Sequence, residues 1–202
     1  MSFPEFYEHV PRLRLRDPLA GLLGASADGI LDYGYADAVR LAGHSCPTVA
    51  AAYWLTWRAL ALLYGTALPV RGEIRVSFRQ PRDEGVTGVT AAVVGLLTGA
   101  AGSEGFKGLG GRYARRGLLN FAATIPLELR FERLDTGARV DAAAYPQQLP
   151  ADPALSDLLA AVTFGTADAA ARQRFGEIWQ DRVARLLTEH RDDPAVFDLR
   201  VG

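Results

Sequence analysis

The chain has 202 residues, 49% of them hydrophobic, which is enough for one sizeable core. Its 22 Lys and Arg stand against 23 Asp and Glu, a formal net charge of -1, so no field of one sign exists to gather nucleic acid and no nucleic-acid partner is expected. The single cysteine, Cys46, excludes an internal disulfide and a zinc knuckle built from cysteines; the charged start, with Glu5, Glu8, Arg12, Arg14 and Arg16, lacks a secretion signal's apolar stretch, so a cytoplasmic location is expected.

Phe3 to Val10 reads as a short helix, and Asp17 to Leu23 as another, with Asp17 as N-cap and Pro18 at the first helical position. Gly24 to Gly29 is a small polar loop. Ile30 to Tyr35 reads as a turn or short extended piece, and Ala36 to Ala42 as a helix that Gly43 ends. From Cys46 to Tyr64 apolar residues fall on every side of a helix, which predicts burial all round. Arg58 is the only charge between Cys46 and Val70, yet it sits mid-segment among diluting Ala and Gly residues, so a core helix is expected there and no membrane span. Glu73 to Arg79 alternates, with Ile74, Val76 and Phe78 on one face of a half-buried strand that Pro81 stops.

Gly85 to Leu97 fits helical spacing through Val86, Val89, Val93, Leu96 and Leu97, against a Val, Thr and Gly content that favours strand; a helix is the expectation. Thr98 to Gly111 holds 6 glycines in 14 residues and predicts a loop. Strands follow at Leu118 to Thr124, Pro126 to Arg133 and Ala138 to Ala143, the last two joined by a turn at Asp135-Thr136-Gly137. Tyr145 to Pro153 resembles a linker, Pro153 to Val162 a helix, and Thr166 is expected to cap a longer helix to His190 with Phe175, Ile178, Trp179, Val183, Leu186 and Leu187 in one apolar stripe. Together these elements predict a single α+β domain: a mostly antiparallel sheet packed on a central buried helix, with C-terminal helices. The apolar and aromatic surplus points to a homodimer.

The residues that carry chemistry are His44 and Cys46, two apart between a helix-ending glycine and Pro47. A cysteine just ahead of a helix feels the positive end of the macrodipole and free backbone N–H groups, which favour thiolate. Imidazole and thiolate form a borderline-soft pair suited to zinc, copper or iron. A closed zinc site needs four ligands, and beyond this pair the chain offers only His9, Asp83, Glu84, Glu104 and His190 from elsewhere. An open metal site, or an iron porphyrin needing one or two axial ligands, suits that shortage.

The run Tyr35 to Tyr64, with Gly43-His44-Ser45-Cys46-Pro47 leading into a long apolar helix, resembles the start of the FmdE family of formylmethanofuran dehydrogenase components, whose members carry Gly-His-x-Cys-Pro-Gly there. The strand at Glu73 to Arg79, the helix ending in Leu97-Thr98-Gly99 and the turn with Phe106-Lys107-Gly108 follow that family's order, so the resemblance spans residues 30 to 145. It implies an α+β domain over residues 1–145, with residues 146–202 a helical extension packed on it, and zinc as the metal at His44 and Cys46. The departures are Ala42 where relatives have a second histidine, Thr48 where they have glycine, and Ala92, Gly95, Ala100 and Ala101 where they carry polar residues and cysteine. No cysteines remain for the zinc ribbon that some relatives append.

Three functions stay open at this point: a zinc or other metal-binding protein, a haem carrier or sensor with His44 or Cys46 as axial ligand, and a metal- or thiolate-dependent enzyme at the same pocket. The small residues Ala92, Gly95, Ala100, Ala101 and Gly102 are expected to leave room for a flat small-molecule cofactor beside Tyr53, Trp54 and Trp57, with Phe106 and Lys107 in a glycine-rich lid over it. That loop is no Walker loop, since no Gly-Lys-Ser/Thr follows at the required spacing, and Arg112, Arg115 and Arg116 after it read as a solvated basic turn. No Ser-His-Asp order, carboxylate pair or dinucleotide fingerprint stands out.

Overall fold

The computed structural model describes residues 3–202. The short helix expected at the start is a 3-10 helix, Glu5–His9; it buries Tyr7 edge-on against Tyr35. Strand β1 (Leu13–Arg16) follows, an element that no pattern in the sequence announced. Leu13 and Leu15 point inward and Arg14 and Arg16 outward, a period of two over only 4 residues inside a charged segment. It pairs antiparallel with β2 (Ile30–Tyr33), forming a ribbon separate from the main sheet. Between them, helix α1 (Pro18–Leu22) starts as expected, with Asp17 Oδ1 accepting from the N–H groups of Leu19 and Ala20.

Helix α2 (Tyr35–Ala42) ends at Gly43, whose φ of 74° is the left-handed conformation that glycine adopts without strain. Cys46 is extended and takes the N-cap of α3 (Pro47–Tyr64), where 12 of 18 residues are buried, as an all-apolar helix requires. Helix α4 (Thr87–Thr98) settles the helix-or-strand ambiguity in favour of helix. Two further helices, α5 (Leu155–Thr163) and α6 (Ala169–Thr188), follow the linker. Asp168, not Thr166, caps α6: its Oδ1 accepts from the N–H of Ala171, while the Thr166 hydroxyl donates to the Ala161 carbonyl at the end of α5. An N-cap must stand next to the first helical turn, and the carboxylate occupies that place.

The main sheet contains β3 (Ile74–Phe78), β4 (Leu119–Asn120), β5 (Leu129–Arg133), β6 (Arg139–Ala144) and β7 (Phe197–Val201), in the order β4-β3-β5-β6-β7. Only the β3–β4 pair is parallel, so the sheet is mostly antiparallel and the fold is α+β. Ile74, Val76 and Phe78 face the core, as their alternation predicts. The outer face carries cross-strand ion pairs set by register: Arg75 opposite Glu132 at 2.6 Å, and Arg130 bidentate on Asp141 at 2.8 and 2.9 Å. The strand expected over Leu118 to Thr124 shrinks to two residues, because the chain bends away at Ala122, a non-glycine residue with a φ of 55°.

Strand β7 has no counterpart among the sequence expectations. It runs along β6 from Phe197 opposite Ala144 to Val201 opposite Val140, so the C-terminal segment, expected only as packed helices, also supplies an edge strand. Helix α3 lies at the centre, against β5, β6 and β7 on one side and α2, α4 and α6 on the others. Leu55 and Leu60 are fully buried there, each contributing about 1.5–3 kcal/mol. No helix among the described residues is long and apolar enough to cross a membrane.

Candidate functional site

The segment His44-Ser45-Cys46 bridges α2 and α3, and both ends of its middle residue are fastened. The Ser45 hydroxyl meets the Tyr35 hydroxyl at 2.9 Å, and its carbonyl accepts from Trp179 Nε1 at 2.9 Å and from Gln180 Nε2 at 3.3 Å. His44 is exposed, with Nδ1 at 3.0 Å from the Ala42 carbonyl, which turns Nε2 away from the backbone. Cys46 is half-buried, and its side chain makes no capping hydrogen bond.

His44 and Cys46 line one groove, a space of about 490 Å³ walled by Thr48 on α3, Val86 and Val89 at the start of α4, Pro146, and Trp179 and Arg182 on α6. Its wall is mainly apolar, which suits a ligand with an apolar face. A narrow cleft adjoins it, sharing Thr48, Val86 and Pro146 and reaching Ala52 and Leu55. Arg182 donates Nη2 to the Pro146 carbonyl at 3.1 Å, but its buried Nε has no partner, and neither has Gln180 Oε1. Sequence reasoning placed Trp179 only in the packing stripe of α6 and did not single out Arg182. The available signal was chemical: an indole N–H on an apolar stripe must find an acceptor.

The other expected pocket residues lie elsewhere. Tyr53 donates its hydroxyl to the Pro11 carbonyl at 2.7 Å and the Tyr33 carbonyl at 3.1 Å. Trp54 and Trp57 stack at 4.8 Å, the first donating to the Arg191 carbonyl and the second to the Arg12 carbonyl. These three rings tie the terminal segments to α3. They sit two turns or more beyond Cys46, roughly 10 Å of helix rise or greater, and none lines the groove. Phe106 and Lys107 are exposed and no residue of the Gly99 to Gly111 loop lines it either. The loop leaves the C-terminal end of α4 whereas Val86 and Val89 mark its N-terminal end, and a 12-residue helix separates the two by roughly 18 Å. Nor does Gly95 leave space. A Cβ on Gly95 would stand 3.1 Å from the Ala100 carbonyl, so the chain's own backbone fills that position.

At that far end the basic turn is solvated at Arg112 and Arg116, as expected, but not at Arg115. Arg115 is buried and donates Nη2 to Asp17 Oδ1 at 2.7 Å, while Arg71 donates Nη1 to Asp17 Oδ2 at 2.9 Å and two further bonds to the Leu96 carbonyl. Burial pushes the Asp17 carboxyl up, but the hydrogen bonds from Arg71 and Ala20 and the charge of Arg115 outweigh it, and the net displacement is downward. This cluster joins residues 98 apart in sequence, and of its members only Asp17 carries a local signal, that of a helix cap.

Among the described residues, no three His, Cys, Asp or Glu side chains gather closely enough to hold a metal ion. His190 lies beside Asp193 at 3.2 Å, and Glu104 beside Arg82 at 3.7 Å, away from the groove. Compared with known proteins, the chain matches no family model and no curated protein.

Proposed function

We propose that this protein binds a flat, largely apolar metallocofactor of the porphyrin class in the groove beside His44 and Cys46. The observation that carries the reading is the donor set: one imidazole and one thiol on the rim of a mostly apolar groove of about 490 Å³, with no third ligand gathered among the described residues. A closed zinc site needs four ligands and does not fit that set, whereas a porphyrin brings its own four and asks the protein for one or two axial ligands. Zinc remains compatible only as an open centre completed by water or substrate.

In this reading His44 or Cys46 holds the metal, Val86, Val89 and Trp179 cover the apolar faces, and the Arg182 guanidinium at the groove wall pairs with an acidic group on the cofactor's edge. Trp179 and Gln180 hold the ligand segment through Ser45, so that the ligands are positioned before anything binds. The bound group would supply a redox-active or gas-binding iron, suited to a carrier or sensor. Membership of the FmdE-like family is part of the proposal and rests on the Gly43 to Pro47 motif at the head of a buried helix. So is a cytoplasmic setting, which keeps the Cys46 thiol reduced. A homodimer is a separate proposal, tested by sedimentation at micromolar concentration.

The test is titration of the purified protein with haemin and, separately, with zinc, followed by absorption spectroscopy and metal analysis, for the wild type, His44→Ala and Cys46→Ser. Stoichiometric haemin binding with a shifted Soret band, lost or moved in one variant, is the expected result. Absence of binding to either probe, or binding unchanged in both variants, would remove the assignment.

A further inference from the structure

The Asp17–Arg71–Arg115 cluster backs onto a second cavity, of about 440 Å³, that shares no lining residue with the His44 groove. Its wall carries Arg16, Arg71, Arg112 and Arg115 against one acidic side chain, Glu73. Counting Asp17 behind the wall, four positive charges stand against two negative ones, a surplus of two. Arg115 has 8% of its side chain exposed, and its Nη1 has no hydrogen-bond partner. A buried cation with an unused N–H is costly to keep. Burial works against its charge, Asp17 offsets this, and the charge of Arg71 adds to the burden.

Two backbone features maintain the arrangement. Gly72, in the cavity wall at a φ of +86°, is the only residue type that leaves room for the Arg115 guanidinium, since a Cβ there would overlap Nη1. Tyr113, also in the wall, is a non-glycine residue with a φ of 63°, and the Arg112 guanidinium lies 5.0 Å from its ring. Tyr113 thus shares one cavity wall with four arginines, and residues held in a sparsely populated φ region recur at ligand clamps.

We propose that this cavity binds a small phosphomonoester. Arg16 and Arg112, exposed on the wall and without an ion pair among the described residues, offer guanidinium groups that match phosphate oxygens; the surplus of positive charge matches a dianion, and a volume in the range of small-molecule sites exceeds what a bare phosphate fills. Tyr113 and the Arg16 stem offer surfaces for the organic body of the ligand. The site stands independently of the His44 groove, and either can fail without the other.

Isothermal titration and thermal-shift measurements on the full chain test it, with inorganic phosphate, phenyl phosphate and potassium chloride at matched ionic strength. Saturable binding of phenyl phosphate, about tenfold tighter than inorganic phosphate, is expected, with a loss of about tenfold or more in an Arg16→Gln/Arg112→Ala variant. Both substituted residues are exposed, so the ligand-free variant should melt within a few degrees of wild type. A shift that chloride reproduces, no saturable binding at millimolar concentrations, or unchanged affinity in the variant would overturn the site. Inorganic phosphate binding as tightly as phenyl phosphate would overturn the phosphomonoester.

Discussion

The two ends of α4 differ in what holds them together. Its N-terminal end borders a groove of apolar walls with two soft donors, where His44 is exposed and Cys46 makes no capping bond; its C-terminal end abuts a buried carboxylate clamped by two arginines. Groups at the first end can change without leaving a charge stranded. At the second, each charged group depends on the others, because removing one partner of a buried ion pair leaves the rest uncompensated. Binding should therefore be separable from stability at the first end and coupled to it at the second.

The sharpest break in that comparison is Asp17→Ala. It strands Arg71 and Arg115 and uncaps α1, and should destabilise the fold by about 3–5 kcal/mol in urea denaturation. A loss below about 1 kcal/mol would show that the cluster is not what secures this end. Gly72→Ala comes next, since its Cβ overlaps the Arg115 guanidinium and its φ is +86°; a loss of about 1–3 kcal/mol is expected, with phosphate binding weakened in parallel.

Acid should find the same weak point. Because the Asp17 carboxyl is held below its ordinary value of about 3.9, its contribution is complete above that pH and disappears as pH falls through the folded value. A stability profile from about pH 6 to 2 should fall steeply in wild type and more gently in Asp17→Asn; parallel slopes would assign the acid limb to other carboxylates. Trp179→Phe should cost about 1 kcal/mol, mostly the hydrogen bond to Ser45, and should weaken haemin binding more than it weakens the fold. The smallest effect is His44→Ala, expected to change stability by less than about 0.5 kcal/mol because the side chain is exposed. A larger loss would give His44 a structural role and remove the contrast between the two ends.

The sequence by itself determined what depends on neighbours within one or two turns. The buried helix Pro47–Tyr64 was legible from its apolar residues on all sides, β3 from the alternation of Ile74, Val76 and Phe78, and α1 from Asp17-Pro18. Even the pairing of His44 and Cys46 on one groove follows from their spacing of two, since a short segment cannot carry them far apart. Tertiary structure alone decided the rest. Whether Arg115 is solvated or buried depends on Asp17, 98 residues away, and the sheet edge at β7 depends on the exposed backbone of β6; neither leaves a local pattern. The aromatic rings expected in the pocket were misplaced for the same reason: periodicity shows that Tyr53, Trp54 and Trp57 belong to a buried helix, but the acceptors at Pro11, Arg191 and Arg12 decide what they face. Contacts between distant segments are chosen by which surfaces can exclude water together, and that choice is made only when the whole chain has folded.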